Sequence, residues 1–409
     1  MTDAIPAPAS AAPSGPAKTT ARLLSLDALR GFDMFWIVGG DELMHQLRAA
    51  FTFPPFTWID SQMDHVAWRG LAFYDCIFPL FVFMAGVSAV FSLGRTIEQH
   101  GRAGAMRRIF TRSLILYFLG VIVYHGLANG VDHIRWVGVL QRIAISYCVT
   151  GLLFCTVRLR GLIAISVAIL LGYWAVLAWV PVRDFNLETE HLRHTWAQAG
   201  TTNTAALFQA TTQYVTGRYD DGVNVPQHFD FQYLPGRKWD GAYDPEGLLS
   251  SFPAIVTCLL GLFAGMLLRN PKITDRKKVS YLCLAGFAMV AVGALWGLEF
   301  PIIKKLWTSS YVLVAGGISC LFLAAFYQVI EIQRWRSWAK PFVWIGTNSI
   351  TIYLAYHLVK FSDYAACVVG GPVQAALGVY GDLLLAATDV ALVLLLVRFL
   401  HQRKLFLRF

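Results

Sequence analysis

The chain has 409 residues, 56% of them hydrophobic and only 14% charged, with a formal net charge of +9. A soluble domain carries roughly a quarter charged residues, so this composition excludes one. Repeated apolar stretches of about 20 residues make the chain an all-α, polytopic membrane protein. The excess positive charge does not argue for a nucleic-acid partner, because the lysines and arginines sit in short loops between apolar stretches, where topology signals belong. Of the seven cysteines, all but Cys367 fall within apolar stretches and none form a CxxC pair. That pattern supports neither a disulfide framework nor a zinc site, and no metal is expected.

Residues 1–21 are rich in Ala, Pro and Ser without a continuous apolar core. They read as a disordered cytoplasmic tail rather than a cleavable signal peptide. The remainder, 22–409, reads as a single transmembrane domain. Ten spans are expected, near 24–47, 71–93, 113–131, 137–157, 161–181, 249–268, 279–298, 308–330, 342–360 and 381–400. The first carries Asp27, Arg30, Asp33, Asp41 and Glu42, too many charges to face lipid, so it belongs in the bundle interior. Basic residues concentrate in loops 94–112, 158–160, 269–278 and 331–340 and at the C-terminus. The positive-inside rule therefore puts both termini and these loops in the cytoplasm. Loop 182–248, the only large extramembrane segment, then lies on the other side with His65.

Five segments carry candidate chemistry. In Asp64–Gly86 a polar start with His65 and Arg69 runs into an apolar span that carries Asp75 near its beginning and Pro79 just inside. An ionisable group at membrane depth is a functional candidate by default, and imidazole is the side chain suited to proton transfer near neutral pH. On a straight helix ten residues rise about 15 Å and put the two side chains on different faces. They can meet only if residues 60–70 fold back over the start of the span, with Pro79 kinking the helix beneath. Spacing alone leaves this reading level with a surface histidine and an interfacial carboxylate.

The entry to span one, Ser25–Phe32, offers Ser25 as N-cap, Asp27 in the first turn and Arg30 one turn deeper at i+3. A structural Asp27–Arg30 pair is the plainer reading; an arginine meeting an anion near the cytoplasmic side is the functional one. Gly138–Tyr147 places Gln141 and Arg142 in span four, where Arg142 either snorkels or pairs with a buried carboxylate such as Asp75 or Asp41. Tyr243–Pro253 reads as a helix entry with Asp244 as cap, Pro245 at the first position and Glu246 in the first turn. Gly346–His357 sets Asn348, Ser349 and His357 in span nine; a histidine satisfied within its own helix is the plainer reading of His357, and one level with the His65 loop is the functional one. Loop 182–248 interleaves aromatics such as Trp196, Tyr219 and Trp239 with Asp220, Asp221, Asp230 and Asp240. That mixture suits a sugar, and equally an aromatic belt on the membrane.

Together and in this order, these segments resemble the transmembrane acyltransferases typified by heparan-α-glucosaminide N-acetyltransferase and its bacterial relatives. The residues that carry the resemblance are Ser25-Leu26-Asp27 with Leu29-Arg30-Gly31; His65, Trp68, Gly70 and Asp75 followed by Phe78-Pro79, Phe81-Val82-Phe83 and Gly86; Gly138 to Arg142; Asp244 to Gly247; and Asn348-Ser349-Ile350. The likeness runs from about residue 22 and suits the short bacterial form, in the inner membrane. It implies acetyl transfer from cytosolic acetyl-CoA, as co-substrate, to the amine of a terminal glucosamine across the bilayer. It assigns His65 as the active-site histidine and Asp75 as its neighbouring aspartate. Where the family carries an Asn-containing stretch after the first span, this chain reads Gly39 to His45, with Asp41 in place of an amide.

On that basis Arg30 (with Asp27), Arg107, Arg108 and Arg112 are candidates for the phosphates of CoA. Asp41, Gln141, Arg142, Asp244, Glu246, Asn348, Ser349 and His357 are candidates for the acceptor side. The expected partners are acetyl-CoA, an amino sugar and the bilayer, with a homodimer as the assembly. His65 would act as general base, or carry the acetyl group itself. A proton-coupled sugar or anion transporter using His65, Asp75, Asp41 and His357 as a relay and an O-acetyltransferase of envelope polysaccharide are the competing functions.

Overall fold

A computed structural model of the chain describes residues 23–51, 53–124, 126, 128 and 130–406; the expected tail at 1–21 lies outside them. In chain order the helices are α1 (Leu24–Phe35), α2 (Asp41–Ala50), α3 (Pro54–Met63), α4 (Ile77–Val123), α5 (Val139–Thr156), α6 (Leu159–Trp179), α7 (Thr189–Ala199), α8 (Thr204–Ala210), α9 (Val225–Tyr233), α10 (Ser251–Arg269), α11 (Asp275–Trp296), α12 (Ser309–Tyr327), α13 (Lys340–Thr347), α14 (Ser349–Leu358), α15 (Phe361–Val369), α16 (Pro372–Leu377) and α17 (Val379–Gln402). Two short strands, β1 (Val182–Arg183) and β2 (Tyr214–Val215), pair antiparallel.

Among the described residues seven helical stretches are long and apolar enough to cross a membrane. One of them, Tyr74–Val123, contains two of the expected spans. It breaks at Gly101, where φ is 71°, a value glycine adopts without steric cost. Its two halves pack side by side: Val82 shares an apolar cluster with Leu116 and Val123, and Ala89, Val90 and Leu93 share another with Ala105 and Ile109. The first and ninth expected spans are broken helices. α1 and α2 are joined by a wide turn in which Val38 and Gly39 leave helical geometry. α13 and α14 are separated at Asn348, which has φ −124° and ψ 24°. The polar first span does face inward, with Asp27 and Asp33 buried. Both carboxylate oxygens of Asp33 lack a hydrogen-bond partner among the described residues.

Two helix crossings are tight enough to demand glycine. A Cβ on Gly31 would lie 1.7 Å from the Phe342 carbonyl oxygen, and one on Gly346 1.8 Å from that of Asp27, so α1 and α13 touch backbone to backbone. α4 and α10 do the same, with Gly86 against Cys258 and Gly261 against Phe83. Small residues at helix contacts are the usual means of close packing in membranes, where burial of apolar surface supplies little drive.

Four local expectations fail. Ser25 does not cap α1: the N-cap is Leu23, and the Ser25 backbone N–H instead donates to Glu331 at 3.0 Å. Pro79 lies in the first turn of α4, where a missing N–H costs nothing, so it does not kink the span. Asp244 does not cap α10, which begins seven residues later with Ser250 as N-cap; a buried arginine claims the carboxylate. Cys367, expected outside the helices, lies exposed in α15.

The loops sort onto two faces. Residues 64–72, 131–138, 182–248 and 299–308 meet on one. There Trp68 Nε1 donates to the Tyr219 carbonyl at 2.7 Å, Arg69 pairs with Asp220 at 2.8 Å, and Lys305 pairs with Asp240 at 2.8 Å. The basic loops share the opposite face, where Arg269 bonds Glu98 and Tyr327 bonds Asp275 at 2.9 Å. Segment 182–248 is more structured than a loop. α7, α8, α9 and the β ribbon enclose a small core of Phe185, Leu187, Leu192, Phe208 and Tyr243 and cap the first face.

Candidate active site

The chain wraps around one carboxylate. α3 ends at Met63, Asp64 is extended, and residues 64–73 run without regular structure to a 3₁₀ turn at Tyr74–Cys76. Gly70, at φ 121°, lets the segment double back, and its N–H donates to the Ile302 carbonyl at 2.9 Å. Asp75 Oδ2 accepts the backbone N–H of Val66 at 3.3 Å and of Ala72 at 3.1 Å, and Tyr311 O–H donates to the Asp75 carbonyl at 2.8 Å. The fold-back required by the spacing is therefore present: His65 Nδ1 lies 2.9 Å from Asp75 Oδ1.

The Asp75 side chain is 2% exposed and that of His65 52%, so the carboxylate is hidden and the imidazole presented. With two N–H groups on Oδ2 and a lysine ammonium 3.3 Å from Oδ1, the carboxylate is taken as the acceptor of its contact with His65, which places the ring proton on Nδ1 and the lone pair on Nε2. The His65 and Tyr74 rings pack 4.8 Å apart, and Tyr74 O–H donates to Asp41 Oδ2 at 2.8 Å. Asp41 thus reaches the site through Tyr74.

A third charged residue, not singled out from sequence, completes the pair. Lys304, on the loop between α11 and α12, places Nζ 2.9 Å from His65 Nδ1, 3.1 Å from Nε2 and 3.3 Å from Asp75 Oδ1. Burial pulls its ammonium below the usual lysine range, against the opposing pull of Asp75. The loop is held by Thr308, whose hydroxyl donates to the Pro301 carbonyl at 2.9 Å, and by Trp307. Trp307 is buried with a left-handed φ of 52°, a conformation that costs a bulky residue about 1–3 kcal/mol. Its indole N–H donates to Thr257 at 3.1 Å, and its ring lies 4.8 Å from the Arg142 guanidinium.

These groups open onto a chamber of about 800 Å³. Its polar wall includes His65, Asp75, Arg135, Arg142, Glu246, Lys304 and His357, and its apolar floor includes Met34, Ile37, Phe78, Phe81 and Ile143. Arg135 grips Asp244 with Nε and Nη2 at 2.8 and 2.7 Å and Glu246 at 2.5 Å. Burial disfavours the Arg135 charge, but the two carboxylates outweigh it and raise the guanidinium above its ordinary range. Burial raises Glu246 in turn, against Arg142 and Arg135.

Arg142 pairs with neither Asp75 nor Asp41. Its Nη2 donates to Ser250 Oγ and to the Pro245 carbonyl at 3.2 Å, while Nε and Nη1 have no partner among the described residues.

Of the remaining expected residues, all but His357 lie outside the chamber wall. Gln141 is buried and donates to the Arg135 carbonyl at 3.2 Å, and Asp244 stands behind Arg135. Asn348 and Ser349 are buried at the α13–α14 break. His357 lines the chamber and bonds the Tyr353 carbonyl at 2.9 Å within its own helix. Arg30, bonded to Ser88 at 2.7 Å and to the Gly346 carbonyl at 3.3 Å, lies 3.6 Å from Asp27, so the structural pair is real. Arg107, Arg108 and Arg112 sit in the 94–112 turn region on the opposite face, where Arg108 bonds Thr96 at 3.3 Å and Arg112 stacks over Tyr147 at 4.8 Å. None of these four arginines lines the chamber. Among the described residues no group of three or more His, Cys, Asp or Glu could hold a metal ion.

Fold and site together define a polytopic helical membrane protein with a charged chamber built on a His–Asp pair at one face. The family model described as heparan-alpha-glucosaminide N-acetyltransferase, catalytic, matches residues 22–206. The chain is 25% identical over 384 residues to the human heparan-alpha-glucosaminide N-acetyltransferase, covering 84% of this chain and 53% of that protein. It is 26% identical over 333 residues to the mouse protein of the same name, covering 72% and 49%. The chain is similar to these proteins and spans about half the length of the curated relatives it matches.

Proposed function

We propose that the chain transfers an acetyl group from acetyl-CoA to the amine of a glucosamine-type sugar, with His65 as general base oriented by Asp75. The observation that carries the proposal is the 2.9 Å contact between His65 Nδ1 and Asp75 Oδ1 in the chamber wall. An ammonium is not a nucleophile, so the acceptor must first lose a proton. His65 Nε2 takes it, while the Asp75 carboxylate stabilises the imidazolium that forms. Lys304 balances the buried charge of Asp75. The amine then attacks the thioester carbonyl, the C–S bond breaks, the thiolate takes the proton held by His65, and the second nitrogen proton passes to solvent.

The basic loops favour a cytoplasmic location for the opposite face, and hence an inner-membrane enzyme whose acceptor docks from outside beneath segment 182–248. Arg30, Arg107, Arg108 and Arg112, with Asp27, are the groups proposed to meet CoA phosphates at the cytoplasmic face. The pantetheine arm would approach through the apolar floor, where Phe81 lies about 9 Å along the chain axis beyond Asp75. Asp41, Gln141, Arg142, Asp244, Glu246, Asn348, Ser349 and His357 are proposed to shape the acceptor side, directly or from behind the wall.

The test is labelled acetyl transfer to glucosamine by the purified protein in detergent. His65→Ala is expected to lose about 10²–10⁴-fold in rate; undiminished transfer by this variant removes His65 from the mechanism. Sugar uptake into sealed vesicles without acetyl-CoA would favour a transporter instead, and faster transfer to hydroxyl than to amine acceptors an O-acetyltransferase.

A further inference from the structure

The Lys304 contacts raise a question about the acetyl group's destination. A lysine ε-amine and a glucosamine amine are the same kind of nucleophile: a primary amine that must shed a proton before it can attack. Lys304 Nζ already stands where an acceptor amine has to stand, 2.9 and 3.1 Å from the two ring nitrogens of His65 and 3.3 Å from Asp75 Oδ1. It is half-buried in the wall of the chamber. The neighbouring lysine is placed differently, since Lys305 Nζ bonds Asp240 at 2.8 Å. Whatever enables His65 to deprotonate an incoming ammonium acts equally on the ammonium it already touches.

We infer that Lys304 is an internal acetyl acceptor: with acetyl-CoA bound and no sugar present, the protein acetylates its own Lys304. The inference rests on the acetyltransferase reading above. The Lys304 ammonium gives one proton to His65. Nζ attacks the thioester carbonyl carbon, a C–N bond forms, and the C–S bond breaks with its electron pair leaving on sulfur. The thiolate takes a proton from His65, and the second nitrogen proton passes to solvent. The balance is ammonium plus acetyl thioester giving acetamide, thiol and one proton. Burial, which depresses the Lys304 ammonium, increases the share of neutral amine available for the attack. The product has no charge to set against Asp75 and occupies the acceptor position, so acetylated Lys304 marks a chain closed to sugar.

The test uses the full-length protein in detergent with isotopically labelled acetyl-CoA, followed by peptide mass mapping and a parallel assay for acetylated glucosamine. The expected result is one acetyl group on Lys304, gained more slowly when glucosamine competes and not gained at that position by Lys304→Arg. In His65→Ala, labelling should slow about a hundredfold. The competition by glucosamine is read on the unmodified chain, so it stands even if a variant fails to fold. Glucosamine acetylated while Lys304 stays unlabelled overturns this inference and leaves the acetyltransferase reading intact. Lys304 labelled no faster than Lys305 and the surface lysines, with no effect of glucosamine, also overturns it, because that is the pattern of uncatalysed acylation. Transfer to neither acceptor overturns both.

Discussion

Replacing Asp75 by Asn tests the proposed proton path more sharply than removing the histidine, because shape is kept and only donors and acceptors change. Two backbone N–H groups, of Val66 and Ala72, converge on Asp75 Oδ2. The amide oxygen of an Asn must take that position, since an NH₂ there would leave both donors unpaired. The amide nitrogen then replaces Oδ1, 2.9 Å from His65 Nδ1. Two donors cannot share that contact, so the imidazole must turn Nδ1 into an acceptor and carry its proton on Nε2. A ring protonated on Nε2 has no lone pair there for the acceptor ammonium. The expected loss is that of a general base, about 10²–10⁴-fold in kcat, equivalent to about 3–5 kcal/mol of transition-state stabilisation. The two backbone hydrogen bonds survive, but Lys304 loses the carboxylate it faces at 3.3 Å, so the thermal midpoint should fall as well. The assay is the initial rate of acetyl transfer to glucosamine, with the thermal midpoint measured in the same detergent. A variant that folds normally and retains kcat within about threefold, far short of a lost base, refutes the assigned tautomer and the role built on it.

Other predictions follow from packing and burial. Gly346→Ala puts a methyl 1.8 Å from the Asp27 carbonyl oxygen and must push α13 off α1; a cost of about 1–3 kcal/mol is expected, seen as a lower thermal midpoint. Arg135→Met strands Asp244 and Glu246 without their cation, and breaking a buried pair from one side costs about 3–5 kcal/mol; adding Asp244→Asn and Glu246→Gln should recover part of the lost midpoint. Asp230 is buried, and burial pushes its carboxyl up to about 7. The unfolded chain ionises this group near pH 4 and the folded chain only near pH 7, so the group destabilises the fold increasingly between those values and by a constant amount above. At about 1.4 kcal/mol per pH unit this approaches 4 kcal/mol. Asp230→Asn, whose amide oxygen can still accept the Leu248 N–H that Asp230 accepts at 3.0 Å, should therefore raise the thermal midpoint at pH 8 and not at pH 4.

The His65–Asp75 pair was legible as a geometric demand. Ten residues on a straight helix cannot bring the two side chains together, so a catalytic reading required a fold-back, and Gly70 with the backbone N–H groups of Val66 and Ala72 supplies it. The spans were legible because apolar length is a strong signal, whereas the break at Asn348 was not: nothing local in Gly346–His357 forbids a continuous helix. Asp244 shows the limit of local pattern. Its position before Pro245 was read as a helix cap, but the helix begins seven residues later; its partner Arg135 lies 109 residues away, and a buried guanidinium overrides a helix N-terminus as a partner. Lys304 lies still farther from its contacts. The one hint in the sequence was a pair of adjacent lysines on the face where the positive-inside rule expects few.

His65 and Lys304 are separated by 239 residues, and the match to the family model ends at residue 206. This has a consequence for biogenesis. Chains elongate at about 5–20 residues per second, so Asp75 enters the membrane with its hidden carboxylate roughly 10 to 50 s before its lysine exists. Glu246 and Trp307 also arrive late. A nascent chain that stalls in between holds the histidine and the aspartate but neither the cation beside them nor the far wall of the chamber. The carboxylate of Asp75 is, for that interval, an uncompensated load on the inserting helices.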